Sequence, residues 1–342
     1  MARTDYLCIE PYLVSILGCR ALSTAFEIGL IDRLEQVDVL SLTELRTLNL
    51  AMPLGLDWLL AELHRAQVLR RNEGGVALMP AFRRALAYRD LLRVKLDFAH
   101  FAAHDYIDHY TAMIRDPGAF MSRASMFRLF SYDRCFELTA ENLQHTRRWV
   151  RVTTALTRYE APVCFAHYDL GPHRRMLDVG GNSGEFAWRA CCQQPGLEAT
   201  VVDLPVVCEV GRQHLAVEPE GSRVQFHPAN ALIDPLPTGR DLISFKSVLH
   251  DWPQAEATQL LTRAIEALPP GGSLLIFERT GVDFSELTPT YGMLPLLLFF
   301  HNYRDATFYT EVLATLGMVR IEVRRIELDM PFWLITANKP GP

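Results

Sequence analysis

Residues 176–186 read Met-Leu-Asp-Val-Gly-Gly-Asn-Ser-Gly-Glu-Phe, and they constrain the fold more than any other stretch. An apolar run ends in an acid, meets two consecutive glycines and then a third, and a helical pattern begins at Phe186, Ala187 and Ala190. This predicts strand, tight turn and helix, the opening unit of a doubly wound sheet. Gly180, Gly181 and Gly184 allow the sharp turn and let a ligand approach the backbone closely, although such a turn also joins strand to helix where nothing binds. The next apolar run, 199–202, ends at Asp203. A carboxylate at that strand tip, about twenty residues past the glycines, is the usual partner of ribose hydroxyls. The pattern points to a nucleoside-containing cofactor, either a dinucleotide or S-adenosylmethionine. The turn reads G-G-N-S-G rather than G-x-G-x-x-G, and Glu185 in the first helical turn would repel a pyrophosphate docked there. S-adenosylmethionine has no phosphate and carries a positive sulfonium, which tolerates Asp178 and Glu185 nearby. The methyl donor is the favoured reading.

At 342 residues the chain suits two domains, and 49% hydrophobic content is enough for sizeable cores. A net charge of −6 argues against nucleic acid as the main partner. The seven cysteines form no C-x-x-C pair, and their odd count and the adjacent Cys191-Cys192 suit a reducing cytosol. Charged residues scattered through the first ten positions are unlike a signal peptide. The longest apolar run, 293–300, contains a proline and is far short of a membrane span. A cytoplasmic protein without membrane contact or metal is expected.

Apolar residues at helical spacing run through 5–35, with Gly29 ending one helix, and two short helical patterns start at Ser41 and near Pro53. A turn at 71–75 between extended runs completes a winged-helix pattern. Its would-be recognition helix, 55–65, is leucine-rich and nearly neutral, so packing into a dimer or against the second domain explains it better than DNA binding does. The domains expected are a winged-helix-like dimerisation domain at 1–90, a helical connector lining an acceptor pocket at 91–165, and a cofactor-binding catalytic domain at 166–342. Within the last, strands are expected at 175–179, 200–203, 224–227, 242–245, 273–277, 320–327 and 332–337. Five alternate with helices in a mostly parallel sheet, and the last two form an antiparallel hairpin at one edge. The fold class is therefore α/β, a Rossmann-like methyltransferase sheet beside an α-helical N-terminal domain.

The fourth strand runs into Phe-Lys-Ser-Val-Leu-His-Asp-Trp-Pro at 245–253. His250, at a strand end that opens into the ligand crevice, is suited to take a proton from a hydroxyl. Asp251 and Trp252 adjoin it, and Glu278 ends the neighbouring fifth strand, where a carboxylate would fix the imidazole tautomer. Glu278 paired instead with Arg279 or another surface charge is the competing arrangement.

Over nearly its whole length the chain resembles the caffeate/flavonoid-type O-methyltransferases and their bacterial natural-product relatives. The motifs are L-D-V-G-G-x-x-G at 177–184, D-L-P at 203–205 and K-x-x-x-H-D-W at 246–252, with Glu278 following His250 by 28 residues. The resemblance implies a homodimer that uses S-adenosylmethionine, with His250 as general base, Glu278 as its orienter, Asp251 beside them and Asp203 on the ribose. It places Asp178, Gly180, Gly181, Gly184, Leu204, Asn230, Ala231 and Lys246 with Asp203 around the cofactor, and Trp149, Thr153, Met293 and Asn302 around an aromatic acceptor.

Three departures stand out. Pro-Ala-Asn-Ala at 228–231 replaces the family's G-D-x-F, leaving Asn230 to accept from the adenine amine through its amide oxygen. His-Asn-Tyr-Arg-Asp at 301–305 replaces the segment that holds a second acid, and Thr153 and Thr157 stand near places usually held by Met and Ser. The reading is methyl transfer to a hydroxyl of an aromatic small molecule, in secondary-metabolite biosynthesis. Ring C-methylation, a hydroxylase or pericyclase that retains the cofactor, and a DNA-binding regulator with a dead catalytic domain are the alternatives.

Overall fold

A computed structural model describes residues 10–48, 53–281, 302–328 and 330–341. The chain divides into two units, 1–126 and 127–342, so the boundary falls inside the 91–165 segment.

In the first unit, helix α1 (Glu10–Glu27) gives way at Gly29 to α2 (Leu30–Gln36). Strand β1 (Leu40–Ser41) leads into α3 (Leu42–Arg46), whose start is fixed by a capping box between Ser41 and Glu44. Helix α4 (Pro53–Arg65) precedes a hairpin of β2 (Leu69–Asn72) and β3 (Gly75–Leu78). The turn between them is only Glu73-Gly74, tighter than the expected 71–75, because Arg71, Asn72 and Gly75 are already paired across the strands. Strand β1, which has no length or alternation to betray it, pairs on the other side of β3. Gly75 permits that pairing: a Cβ there would lie 2.1 Å from the Leu40 carbonyl oxygen. Leu30, Ile31, Leu34, Leu45, Leu63 and Leu69 form the buried centre. Helices α5 (Pro80–Ala85), α6 (Arg89–Arg115) and α7 (Pro117–Arg123) follow. Buried Asp105 of α6 accepts the backbone N–H groups of Ser125 and Met126 at 2.8 Å each, which ties down the end of the unit.

The short helix α8 (Met126–Leu129) precedes α9 (Ala140–Ala166), the long helix of the second unit. Then come β4 (Arg175–Val179), α10 (Glu185–Gln193), β5 (Glu198–Asp203), α11 (Pro205–Leu215), β6 (Val224–Pro228), β7 (Leu242–Lys246), α12 (Gln254–Ala267), β8 (Ser273–Arg279), α13 (Ala306–Thr315), β9 (Val319–Ile326) and β10 (Phe332–Asn338). Among the described residues the sheet has the order β6-β5-β4-β7-β8-β10-β9. Strands β6 to β8 are parallel, and β10 runs antiparallel to both β8 and β9, which places the terminal hairpin at one edge.

Alternate residues of the central strands enter two cores. Met176, Leu275 and Phe277 pack with Phe165 of α9 and Phe186 of α10, while Leu177, Val179, Phe245 and Ile276 pack with Leu261 of α12 and Tyr309 of α13. With both faces buried, the polar ends of β4, β5, β7 and β8 are free to carry chemistry at one edge of the sheet. No helix among the described residues is long and apolar enough to cross a membrane.

Candidate active site

The glycine turn sits over a buried carboxylate. Asp178, fully buried near the end of β4, accepts the Ser244 hydroxyl at 2.5 Å through Oδ1, while its Oδ2 is buried with no hydrogen-bond partner among the described residues. Burial pushes its pKa up to about 7, against the Ser244 bond and the Lys246 charge. A Cβ on Gly181 would lie 2.5 Å from that Oδ2, so glycine lets the acid sit against the turn. Gly180 donates its N–H to the Val202 carbonyl at 2.8 Å, which joins the turn to β5.

At the tip of β5, Asp203 accepts the N–H of Asn182 at 2.8 Å and of Leu204 at 2.7 Å. Burial again dominates, raising its pKa to about 6 against these two bonds, with the Asp251 charge adding to the rise. An orphaned buried acceptor at Asp178 and a second acid held by turn amides fit a ligand that brings hydrogen-bond donors and positive charge.

Glu185 lies elsewhere. Its carboxylate is bound by Arg189 at 2.9 Å and His214 at 2.8 Å, with Arg158 at 3.6 Å. Burial pushes its pKa up, but the bonds from His214 and Arg189 outweigh this and hold it below the ordinary value. Its charge is thus compensated within the protein. The expectation that it would repel an anion at the helix start loses its basis, and the choice of cofactor falls on Asp178 and the turn.

His250 stands in the 3₁₀ turn Leu249–Asp251 just after β7, and Glu278 ends β8 beside it. Nδ1 of His250 is 2.6 Å from Oε2 of Glu278, and both residues are buried. The other Glu278 oxygen accepts the N–H groups of Val248 at 2.6 Å and Leu249 at 2.7 Å. Where Glu278 is ionised it accepts the Nδ1 proton, and that tautomer carries its lone pair on Nε2. Nε2 lies 3.4 Å from Oδ1 of Asp251, whose Oδ2 accepts the Tyr132 hydroxyl at 2.6 Å. Burial raises the Asp251 pKa, with the His250 charge and the Tyr132 bond opposing it. Glu278 therefore faces the histidine, and Arg279 pairs instead with Glu160 at 2.5 Å.

The remaining residues divide. Lys246 does not reach out of the protein: its ammonium donates to Thr157 at 2.9 Å and forms an ion pair with Glu160. Burial lowers its pKa, with Glu160 opposing. Asn230 already uses its amide oxygen to accept the Leu232 N–H at 3.1 Å, a local turn that leaves one lone pair for any ligand. The Ala231 carbonyl accepts from Arg263. Thr153 donates to Asn182 of the glycine turn at 3.1 Å, so it braces that turn from α9. Trp149 is buried against Val206, Val207 and Val210, with the Tyr132 ring edge-on at 6.1 Å. Asn302 is partly buried, and Met293 lies outside the described residues.

Sequence reasoning missed Tyr132, Glu160, Tyr303 and Arg304. Tyr132 stacks on Trp252, Glu160 joins Lys246 to Arg279, and Arg304 donates to the carbonyls of Leu249 and Trp252. Glu160, a lone acid in the apolar half of a helix, was the one legible sign.

A family model described as an O-methyltransferase domain matches residues 119–318, more than half of the chain. The chain belongs to the O-methyltransferase domain family. Over 113 residues this family member is 39% identical to 3-hydroxy-5-methyl-1-naphthoate 3-O-methyltransferase of Streptomyces sahachiroi, covering 33% of each chain. Over 164 residues it is 32% identical to acetylserotonin O-methyltransferase of Gallus gallus, covering 46% of each. The aligned stretches thus span less than half the length of these curated relatives. The structure of human N-acetylserotonin methyltransferase in complex with S-adenosylmethionine superposes with a TM-score of 0.76 at 20% identity, covering 99% of both chains, and shows the shared fold.

Proposed function

We propose that this O-methyltransferase family member transfers a methyl group from S-adenosylmethionine to a hydroxyl of an aromatic small molecule, in secondary-metabolite biosynthesis. The observation that carries the reading is the buried His250–Glu278 pair, 2.6 Å apart, at the same sheet edge as the glycine turn. The names of the relatives, a hydroxynaphthoate and an acetylserotonin O-methyltransferase, support an aromatic hydroxyl as the acceptor.

In this reading Asp203 takes the ribose hydroxyls and the orphaned oxygen of Asp178 takes a donor of the cofactor. When bound, S-adenosylmethionine supplies an electrophilic methyl on its sulfonium and departs as S-adenosylhomocysteine. Nε2 of His250 takes the hydroxyl proton as the acceptor oxygen becomes methylated, and Glu278 and Asp251 face the imidazolium that results. Alignment of the acceptor with the methyl is the larger part of the acceleration.

Incubation with labelled S-adenosylmethionine and a panel of catechols, phenols and hydroxylated polyketides tests this, with NMR of the product to place the methyl. Label on an aromatic oxygen is expected. Label on a ring carbon would make the protein a C-methyltransferase, and no transfer together with tight NADH binding would remove the reading.

The first unit is proposed to pair two copies. Ile107, Tyr110 and Ile114 recur on one side of α6 and are more than half exposed, as are Leu54 and Trp58 of α4. Apolar side chains at helical spacing on solvent-facing helices favour a self-complementary contact.

A further inference from the structure

Tyr303 lies flat on the His250 imidazole, with ring centroids 4.9 Å apart and planes 11° from parallel. Its hydroxyl oxygen is buried and has no hydrogen-bond partner among the described residues. A buried hydroxyl in that state costs free energy that phenylalanine in the same place would not, and buried tyrosine hydroxyls ordinarily find a partner. Polar groups are close enough to act on it, namely Arg279, Asp251, Glu278 and Glu160. Each has commitments elsewhere: Glu278 to His250 and two backbone amides, Asp251 to Tyr132, and Arg279 and Glu160 to one another. Burial above all, joined by the three carboxylates and opposed by Arg279, keeps the phenol protonated well beyond its ordinary range. It is therefore a donor without an acceptor among the described residues, stacked on the proposed base. The next residue, Arg304, donates to the carbonyls of Leu249 and Trp252, so Tyr303 is tied to the turn that carries His250.

We propose that Tyr303 contacts the acceptor directly, its hydroxyl donating a hydrogen bond to the oxygen beside the one that is methylated. A base and a donor carried on stacked rings are matched by two oxygens on neighbouring carbons. The site then selects aromatic acceptors with paired oxygens, a catechol or an ortho-hydroxy carbonyl, over a simple phenol. This rests on the methyl-transfer reading above and adds its substrate class.

Tyr303→Phe keeps the stacked ring and removes the hydroxyl, and two measurements on the full chain decide. In thermal melting without ligand, the variant is expected to equal or exceed the wild type. A drop of several degrees would show that the hydroxyl has a structural partner and would overturn the proposal. In steady-state kinetics with catechol, 3-hydroxy-2-naphthoate and phenol, the wild type should prefer the first two. The variant should raise KM for those two about three- to tenfold, the worth of one lost hydrogen bond, with kcat and S-adenosylmethionine affinity held and phenol unaffected. An equal loss on all three acceptors, or none on any, would overturn the inference while leaving methyl transfer intact. A wild type that methylates none of them would overturn both.

Discussion

Glu278 and Arg304 grip Leu249 from its two ends: the carboxylate accepts its N–H at 2.7 Å, and the guanidinium donates to its carbonyl at 2.9 Å. Both bonds are charge-assisted, and together they immobilise the turn that aims His250. The preceding Ser247 sits at φ 53°, a left-handed conformation that a non-glycine residue holds only when its surroundings impose it. The candidate base is thus positioned by a strand end on one side and by the segment before α13 on the other.

Glu278→Gln should reduce turnover. The amide oxygen can keep the Val248 and Leu249 N–H groups, and the NH₂ then faces Nδ1 of His250 and favours the tautomer that carries its proton on Nε2. In that tautomer Nε2 cannot take the proton of an acceptor hydroxyl. A lower kcat with S-adenosylmethionine affinity held in calorimetry is expected. A variant with wild-type kcat would mean that Glu278 does not set the tautomer of His250.

His250→Ala should lower turnover about 10²–10⁴-fold while cofactor affinity in calorimetry stays within a factor of a few. The penalty should shrink for acceptors whose hydroxyl already ionises near neutral pH, because solvent has then removed the proton. An equal penalty across acceptors of widely different acidity would show that His250 places the substrate and takes no proton.

Cofactor affinity should depend on pH through Asp203 and Asp178, whose pKa values burial raises to about 6 and about 7. The cofactor favours the ionised forms, so protons compete with it and affinity should weaken as pH falls below 7 and more steeply below 6. The stability of the ligand-free chain has the opposite sign. The folded state holds these protons at pH values where the unfolded chain, near 3.8, has lost them, so their contribution declines as pH rises from about 4 towards 7. Asp203→Ala should weaken S-adenosylmethionine by about one to a few kcal/mol at pH 8 and flatten the profile. Calorimetry that finds the same affinity at pH 5.5 and 8 would separate these acids from the ligand.

Ile107→Glu with Ile114→Glu should turn the proposed dimer into a folded monomer, read by light scattering and circular dichroism. Deleting residues 1–35 is a poorer test, because Leu30, Ile31 and Leu34 belong to the buried centre of the first unit and their loss would unfold it. A double variant that is still dimeric would move the interface elsewhere.

The order of elements was determined locally, and so was readable from the chain. Glycines 180, 181 and 184 after an apolar run specify strand, turn and helix, and the last seven strands were legible to within two residues because each is either a short apolar run or, in β6 and β9, an alternation of apolar and polar residues. The pairing of His250 with Glu278 was also readable, since adjacent parallel strands bring their ends together. Tertiary structure alone decided which charges are spent inside the protein. Glu185 is absorbed by Arg189 and His214, Lys246 by Glu160 on a helix 86 positions earlier, and Arg279 by that same glutamate. It also decided that Tyr303 covers the imidazole and that β1 exists at all. Local pattern records what a segment can form, because backbone preference and one buried face are properties of neighbours in sequence. Which donor meets which acceptor in a buried site depends on side chains brought together by packing, and a single chain carries no periodic mark of that.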